Sequence, residues 1–254
     1  MPLIKKYIPL GAVVVLLAFR FLYTHKHTKA LVCGQLYISL LPYTDCYMQI
    51  TIFGASGKVG QMVVARALEN KYDVVAFVHS HNPFKESERL HIVKGDVSDV
   101  SAVKEAITGS SAVISTLGSW HTKQKNALTS GMQTIIPAME SLDVSRLVTV
   151  TGSGAFYSVD TPHLIDTLNH RLLLLIAPKI VQDSEAHLAQ LAASSLAWTS
   201  VRAPVMTNGH SAKYSLRKEF GSPLASIPRT ALVQCLIDQL SDTAWLRQAP
   251  IIFR

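Results

Sequence analysis

From Met48 onward, short β-branched apolar runs alternate with segments whose apolar residues recur at helical spacing. Ile50 to Phe53 reads as a strand, Gly54 to Gly60 as a glycine-rich turn, and Lys58 to Asn70 as a helix with Val59, Met62, Val63 and Ala67 on one face. Strands are predicted over Asp73 to Val78, His91 to Lys94, Ala112 to Leu117 and Arg146 to Thr151. Between them the pattern predicts a helix capped by Asp99 or Ser101 and ending at Thr108, and a helix over Leu128 to Leu142 with Pro137 inside it. The second half predicts an apolar helix over Leu164 to Ile176 that Pro178 ends, a helix over Asp183 to Ser194 and a strand over Trp198 to Val201. A helix over Pro228 to Leu240 and a last strand over Pro250 to Phe253 complete the chain. Strand–helix alternation with near-continuous apolar strands implies an α/β, doubly wound parallel sheet with helices on both faces. No repeat or low-complexity linker divides the stretch, so 48–254 is predicted to be one domain.

Residues 1–47 follow a different pattern. Tyr7 to Phe19 carries no charge, and Phe21-Leu22-Tyr23 extends the run beyond Arg20. That is at the lower limit for crossing a bilayer, which takes about 20 apolar residues. Lys5-Lys6 before a short apolar run also resembles a secretory signal, but no small-x-small cleavage site follows. The reading leaves two alternatives. One is a membrane anchor over 7–23, with the domain in the cytoplasm. The other is a stretch upstream of a true start at Met48.

Charge and cysteine content narrow the function classes. The leader holds Lys5, Lys6, Arg20, Lys26 and Lys29 against Asp45, so more than half of the net charge of +7 belongs to it. The domain's smaller excess, without basic runs interleaved with aromatics, argues against nucleic-acid binding. Three cysteines, with no CxxC and no His/Cys cluster at zinc spacing, argue against a disulfide scaffold and a metal site.

The chemistry concentrates in Gly54-Ala55-Ser56-Gly57-Lys58-Val59-Gly60, a GxxGxxG pattern between a strand and a helix. The first glycine permits a tight turn, the second lets backbone approach a pyrophosphate, and the third lets the helix pack on the strand. The amides of the helix N-terminus then face the phosphates.

With Ile50-Thr51-Ile52-Phe53 before it, this loop resembles the opening of atypical short-chain dehydrogenase/reductases. That NAD(P)-binding group, of Rossmann fold, includes NmrA-like proteins and biliverdin reductase B/flavin reductase. Gly95-Asp96-Val97, Ala112 to Gly118, Val148 to Gly154 and Leu196 to Pro204 keep the family order, with Ala203 departing from a WTxVRP pattern. The resemblance implies that Gly54 to Gly60 cradle the pyrophosphate and that Asp96 and Val97 border the adenine. It places Thr116, Leu117 and Gly118 on the ribose side and Thr151, Gly152 and Ser153 near the nicotinamide, with Pro204 and Val205 closing over it. For each of these an ordinary strand end is the competing reading, and for Asp96 a turn cap.

The second strand ends Ala76-Phe77-Val78-His79-Ser80-His81, with no acid to bind a ribose 2′-OH. His79 stands where the family often has a basic residue, so the reading leans to NADP(H) over NAD(H). Tyr214 to Lys218 matches Tyr-x-x-x-Lys literally but follows the late strand, and the helix where the pair belongs has neither residue. Ser153 and Thr151 are left as the candidate catalytic hydroxyls, and His163, His170 and His187 as histidines that could reach a cleft. Two functions remain open. One is an NAD(P)H-dependent oxidoreductase passing a hydride to a small flavin-, quinone- or carbonyl-type acceptor. The other is a non-catalytic NAD(P)-binding redox sensor of the NmrA-like kind. A membrane-tethered assembly or chaperone factor that kept only the fold is a third reading.

Overall fold

A computed structural model describes residues 48–120, 125–222 and 224–254; the leader and its predicted anchor lie outside the described residues. The described residues form ten strands: β1 (Gln49–Phe53), β2 (Asp73–Val78), β3 (Leu90–Lys94), β4 (Ala112–Ser115), β5 (Arg146–Gly152), β6 (Ala197–Ala203), β7 (Val205–Thr207), β8 (Ser215–Arg217), β9 (Ser226–Pro228) and β10 (Ile251–Phe253). The helices are α1 (Lys58–Glu69), α2 (Val100–Ile107), α3 (Ala127–Ser141), α4 (Leu164–Ile176), α5 (Pro178–Ala193) and α6 (Arg229–Asp238).

Eight strands form one sheet in the order β3-β2-β1-β4-β5-β6-β10-β8, parallel throughout except where β8 runs antiparallel to β10. Alternation along β1 sends Ile50 and Ile52 into the core under α1 and α6, and Phe53 into the core under α2, α3 and α5. Both faces of the central strands are therefore buried, which is why their sequence is a run rather than an alternation. The strand order reverses between β1 and β4, and the crevice outside the carboxyl ends at such a reversal is where open α/β sheets bind ligands.

The structure differs from the pattern in three places. Pro178 ends α4 and also starts α5 at its first turn, so α5 begins five residues before Asp183; proline is pre-organised for that position. Strand β4 stops at Ser115, three residues from Gly118, and Thr116 donates its N–H and hydroxyl to the Phe53 carbonyl at 2.9 and 3.0 Å. The short strands β7, β8 and β9 carry no alternation long enough to read, and their existence depends on distant partners. Among the described residues no helix is long and apolar enough to cross a membrane.

Candidate functional site

The glycine turn follows β1 directly, and its three glycines meet three different demands. Gly54 has φ of +72°, and a Cβ there would lie 2.8 Å from the Thr116 carbonyl carbon. Gly60 is jammed against the turn, since a Cβ would meet the Gly54 oxygen at 2.2 Å. Both are required by the fold. Gly57 is not: it is exposed and extended (φ −71°, ψ 163°), and a Cβ would touch only the Gly54 oxygen, at 3.3 Å. The turn is closed by the Gly57 amide donating to Gly54 O at 3.0 Å. No side chain caps the N-terminus of α1 and no acid stands in its first turn, so its leading amides face outward with the positive end of the helix dipole. A Cβ at Gly118 or Gly152, after β4 and at the end of β5, would meet nothing within 4 Å. Three glycines that packing does not demand thus stand at neighbouring strand ends, a cradle that side chains would fill.

The parallel register brings the remaining sequence-predicted residues to this edge. Val78 pairs with Lys94, which sets His79 and Asp96 side by side; His79 Nε2 lies 3.1 Å from Asp96 Oδ2. The other Asp96 oxygen accepts from the Ser98 amide and hydroxyl at 2.8 and 2.7 Å. These bonds, with His79 beside it, hold the Asp96 carboxyl below its usual range. Asp96 is therefore a turn cap whose second oxygen stays at the edge. The end of β2 carries no acid in sequence, but the turn after β3 supplies one in space. Lys58, Ser80 and His81 are exposed. Ser153 follows β5, half-buried, with its amide on Ala203 O at 2.9 Å. The Thr151 hydroxyl is enclosed and has no hydrogen-bond partner among the described residues. Thr116 and Leu117 border the glycine turn, and Pro204 and the exposed Val205 follow β6. A cleft lined by Gln49, Asp73 and Arg89 lies at the opposite, amino edge of the strands and has no part in this arrangement.

Behind the edge runs a polar layer that sequence reasoning did not assemble. Ser115, Thr149 and Ser200 are in register across β4, β5 and β6, on the face covered by α5. His187 of α5 is fully buried there, its Nε2 3.0 Å from Thr149 Oγ1. One helical turn earlier, the Asp183 carboxylate accepts from the Leu128 and Thr129 amides at 3.1 and 3.0 Å and from the Ser119 and Thr129 hydroxyls. Asp183 is thus the N-terminal cap of α3, supplied by another helix, since Asn126 at the cap position gives no side-chain bond. Ser184 donates to Ile180 O, and the Tyr214 hydroxyl donates to Asp238 at 2.7 Å. Burial first, then that bond, pushes the Tyr214 pKa up, so it is no acid–base group at neutral pH. His163 caps α4, and His170 lies 2.9 Å from Gly154 O, stacked on Phe156.

Burial lowers the His187 pKa from 6.5 to about 4 against the pull of Asp183, so the imidazole is neutral at pH 7. The unfolded chain binds this proton more readily than the folded one. Stability is therefore expected to fall as pH drops from about 6.5 towards 4, by up to about 3 kcal/mol. Urea melts across that window should show the slope, and His187→Gln should flatten it; equal slopes would refute the assignment.

Comparison with known proteins bears on the family and the fold. The family model described as NAD(P)H-binding matches residues 54–243. A 2-alkyl-3-oxoalkanoate reductase of Stenotrophomonas maltophilia is 29% identical over 106 residues, 40% of this chain and 32% of that protein, so the match spans about a third of that curated relative's length. A short-chain dehydrogenase/reductase of Veillonella parvula, solved with NADP, has 20% identity and a TM-score of 0.68 over 82% of this chain and 95% of its own. An anaerobilin reductase of Escherichia coli O157:H7 has 18% identity and a TM-score of 0.64 over 81% and 97%. The solved structures share the fold, a Rossmann-type α/β sheet, and the family model covers the strand ends at which the three open glycines stand. The chain belongs to the NAD(P)H-binding family.

Proposed function

We propose that the protein is an NAD(P)H-dependent oxidoreductase that passes a hydride to a small flavin-, quinone- or carbonyl-type acceptor at the carboxyl edge of the sheet. The observation that carries this is the set of glycines, Gly57, Gly118 and Gly152, whose missing side chains the fold itself does not require. The Gly54–Gly60 turn and the free amides of α1 would hold the pyrophosphate. His79, Asp96 and Val97 would take the adenosine side, and Thr116, Leu117 and Gly118 the ribose side. Thr151, Gly152, Pro204 and Val205 would surround the nicotinamide, which supplies the hydride when bound. Ser153 is the hydroxyl at this edge and would hydrogen-bond the acceptor; Thr151 stands behind it. The reductase activities named for the Stenotrophomonas and Escherichia relatives support the class. Calorimetry with NADPH and NADH, followed by absorbance assays with flavins, quinones and carbonyls, tests the proposal. Absence of dinucleotide binding would overturn it.

A second reading has its own support. Asp183, Ser184 and His187 on α5 are all buried and engaged, so none of these three is free to protonate an acceptor. A redox sensor needs none. Tight dinucleotide binding without turnover on any acceptor would favour the sensor.

Cofactor choice rests on the His79–Asp96 pair. The imidazole would attract a 2′-phosphate and the carboxylate would repel it or accept from a 2′-OH. The NADP complex of the Veillonella relative favours the phosphate form. His79→Ala is expected to weaken NADPH binding severalfold and leave NADH unchanged, while Asp96→Asn strengthens NADPH relative to NADH. Titration of both variants with both dinucleotides reads the ratio; an unaltered ratio would remove the pair from the site.

A further inference from the structure

Helix α4 carries an apolar face that nothing among the described residues covers. Leu164, Ile165, Leu168, Leu172, Leu175 and Ile176 are all exposed, Leu164 by 87% and Leu175 by 82%. At 100° per residue these six fall within an arc of about 120°, a complete amphipathic stripe. The helix is nevertheless firmly seated through its other side. Asp166 is buried and closes a capping box with His163, His170 bonds Gly154 O and stacks on Phe156, and Leu173 packs against Gly154. Contiguous exposed apolar area on this scale, several hundred Å², marks an interaction surface on a soluble domain.

Charge selects the occupant. Every acid between Ser153 and Gln190 is turned inward or held. Asp160 sits on Arg202, Asp166 on the His163 amide, Asp183 on α3, and Glu185 on the Phe156 amide and His170. The two strong bases of the same segment, Arg171 and Lys179, are exposed and make no ion pair among the described residues. Among the Asp, Glu, Lys and Arg side chains of this segment, those left exposed and unpaired are thus positive. A second copy fits poorly. Arg171 lies near the middle of α4 at the edge of the stripe, so two-fold antiparallel pairing would set it against its own mate. Trp120 and Val159, in the loops after β4 and β5, and Val205, the first residue of β7, are further exposed apolar side chains.

We propose that the outer face of α4 docks on an anionic lipid surface, with its leucines in the headgroup–acyl boundary and Arg171 and Lys179 on the phosphates. This attachment is independent of the leader, and the reductase reading does not enter it. The test uses the full chain with phosphatidylcholine vesicles, with and without phosphatidylglycerol. Partition is read by sedimentation, and α4 is read directly by hydrogen–deuterium exchange of the 164–176 peptides. Exchange across 164–176 is expected to slow with phosphatidylglycerol vesicles. Leu168→Glu with Leu172→Glu should lose that protection and lower the α4-dependent partition roughly tenfold. Arg171→Glu with Lys179→Glu should abolish the dependence on phosphatidylglycerol. Vesicle binding that leaves the 164–176 peptides unchanged would assign attachment to other residues and overturn the proposal. Protection that appears without vesicles as protein concentration rises would assign the face to a second copy, and would overturn it equally.

Discussion

Valine at position 57 is expected to abolish dinucleotide binding in a protein that remains folded. The backbone of Gly57 is already in a region open to any residue, and its Cβ would meet only one oxygen at 3.3 Å. The cost to stability is therefore small, about 1 kcal/mol for a poorer helix cap. The added methyls would occupy the space over the turn where a pyrophosphate must approach. Affinity should fall at least a hundredfold, about 2.7 kcal/mol, by calorimetry with NADPH and NADH. Gly60→Val is the contrast. Its Cβ would stand 2.2 Å from Gly54 O and 2.8 Å from Ala55 Cα, so this variant should fail to fold. If Gly57→Val binds normally, the turn is only a turn.

The second large effect lies in the buried ion pair. Arg202, 1% exposed, donates to Asp160 Oδ1 at 2.9 Å, to Ala249 O at 2.7 Å and to Ala155 O at 3.1 Å. Asp160 also accepts from the Tyr157 amide at 2.7 Å. The pair ties the loop after β5, which carries Ser153, to the middle of the sheet. Arg202→Met would strand the Asp160 carboxylate in the interior, at a cost of about 3–5 kcal/mol. For a domain of this size that lowers Tm by roughly 10 °C. Asp160→Asn in the same chain should recover part of the loss, because the stranded charge rather than the missing bond dominates it. Thermal melts of the single and double variants decide this; a double variant less stable than Arg202→Met would show that the pair itself is the stabilising term.

The loop geometry also explains why this part of the site was hard to read from sequence. Arg202 belongs to the stretch that resembles the family's late strand, but nothing local marks Asp160, 42 residues earlier, as its partner. The same holds for His79 and Asp96. The end of β2 contains no acid, and only the Val78–Lys94 register brings one there. Asp183 reads as the first residue of its own helix; it becomes the cap of another because α5 crosses the N-terminus of α3. Each pairing is set by which strands are neighbours, and strand order is not encoded in local periodicity.

What the sequence determined by itself was local. Continuous β-branched runs required strands buried on both faces, helical spacing between them required crossovers, and the positions of Gly54, Gly57 and Gly60 required a turn opening a helix. Those demands hold whatever lies further along the chain. The tertiary structure decided what the local pattern leaves free. It showed that Gly54 and Gly60 serve the fold while Gly57 stays open, because only the folded turn shows what a Cβ would meet. Among the described residues it also left the apolar stripe of α4 uncovered, although the same spacing elsewhere is buried. Periodicity states that a helix has an apolar face; whether that face meets a core, a membrane or water depends on what the rest of the chain places against it.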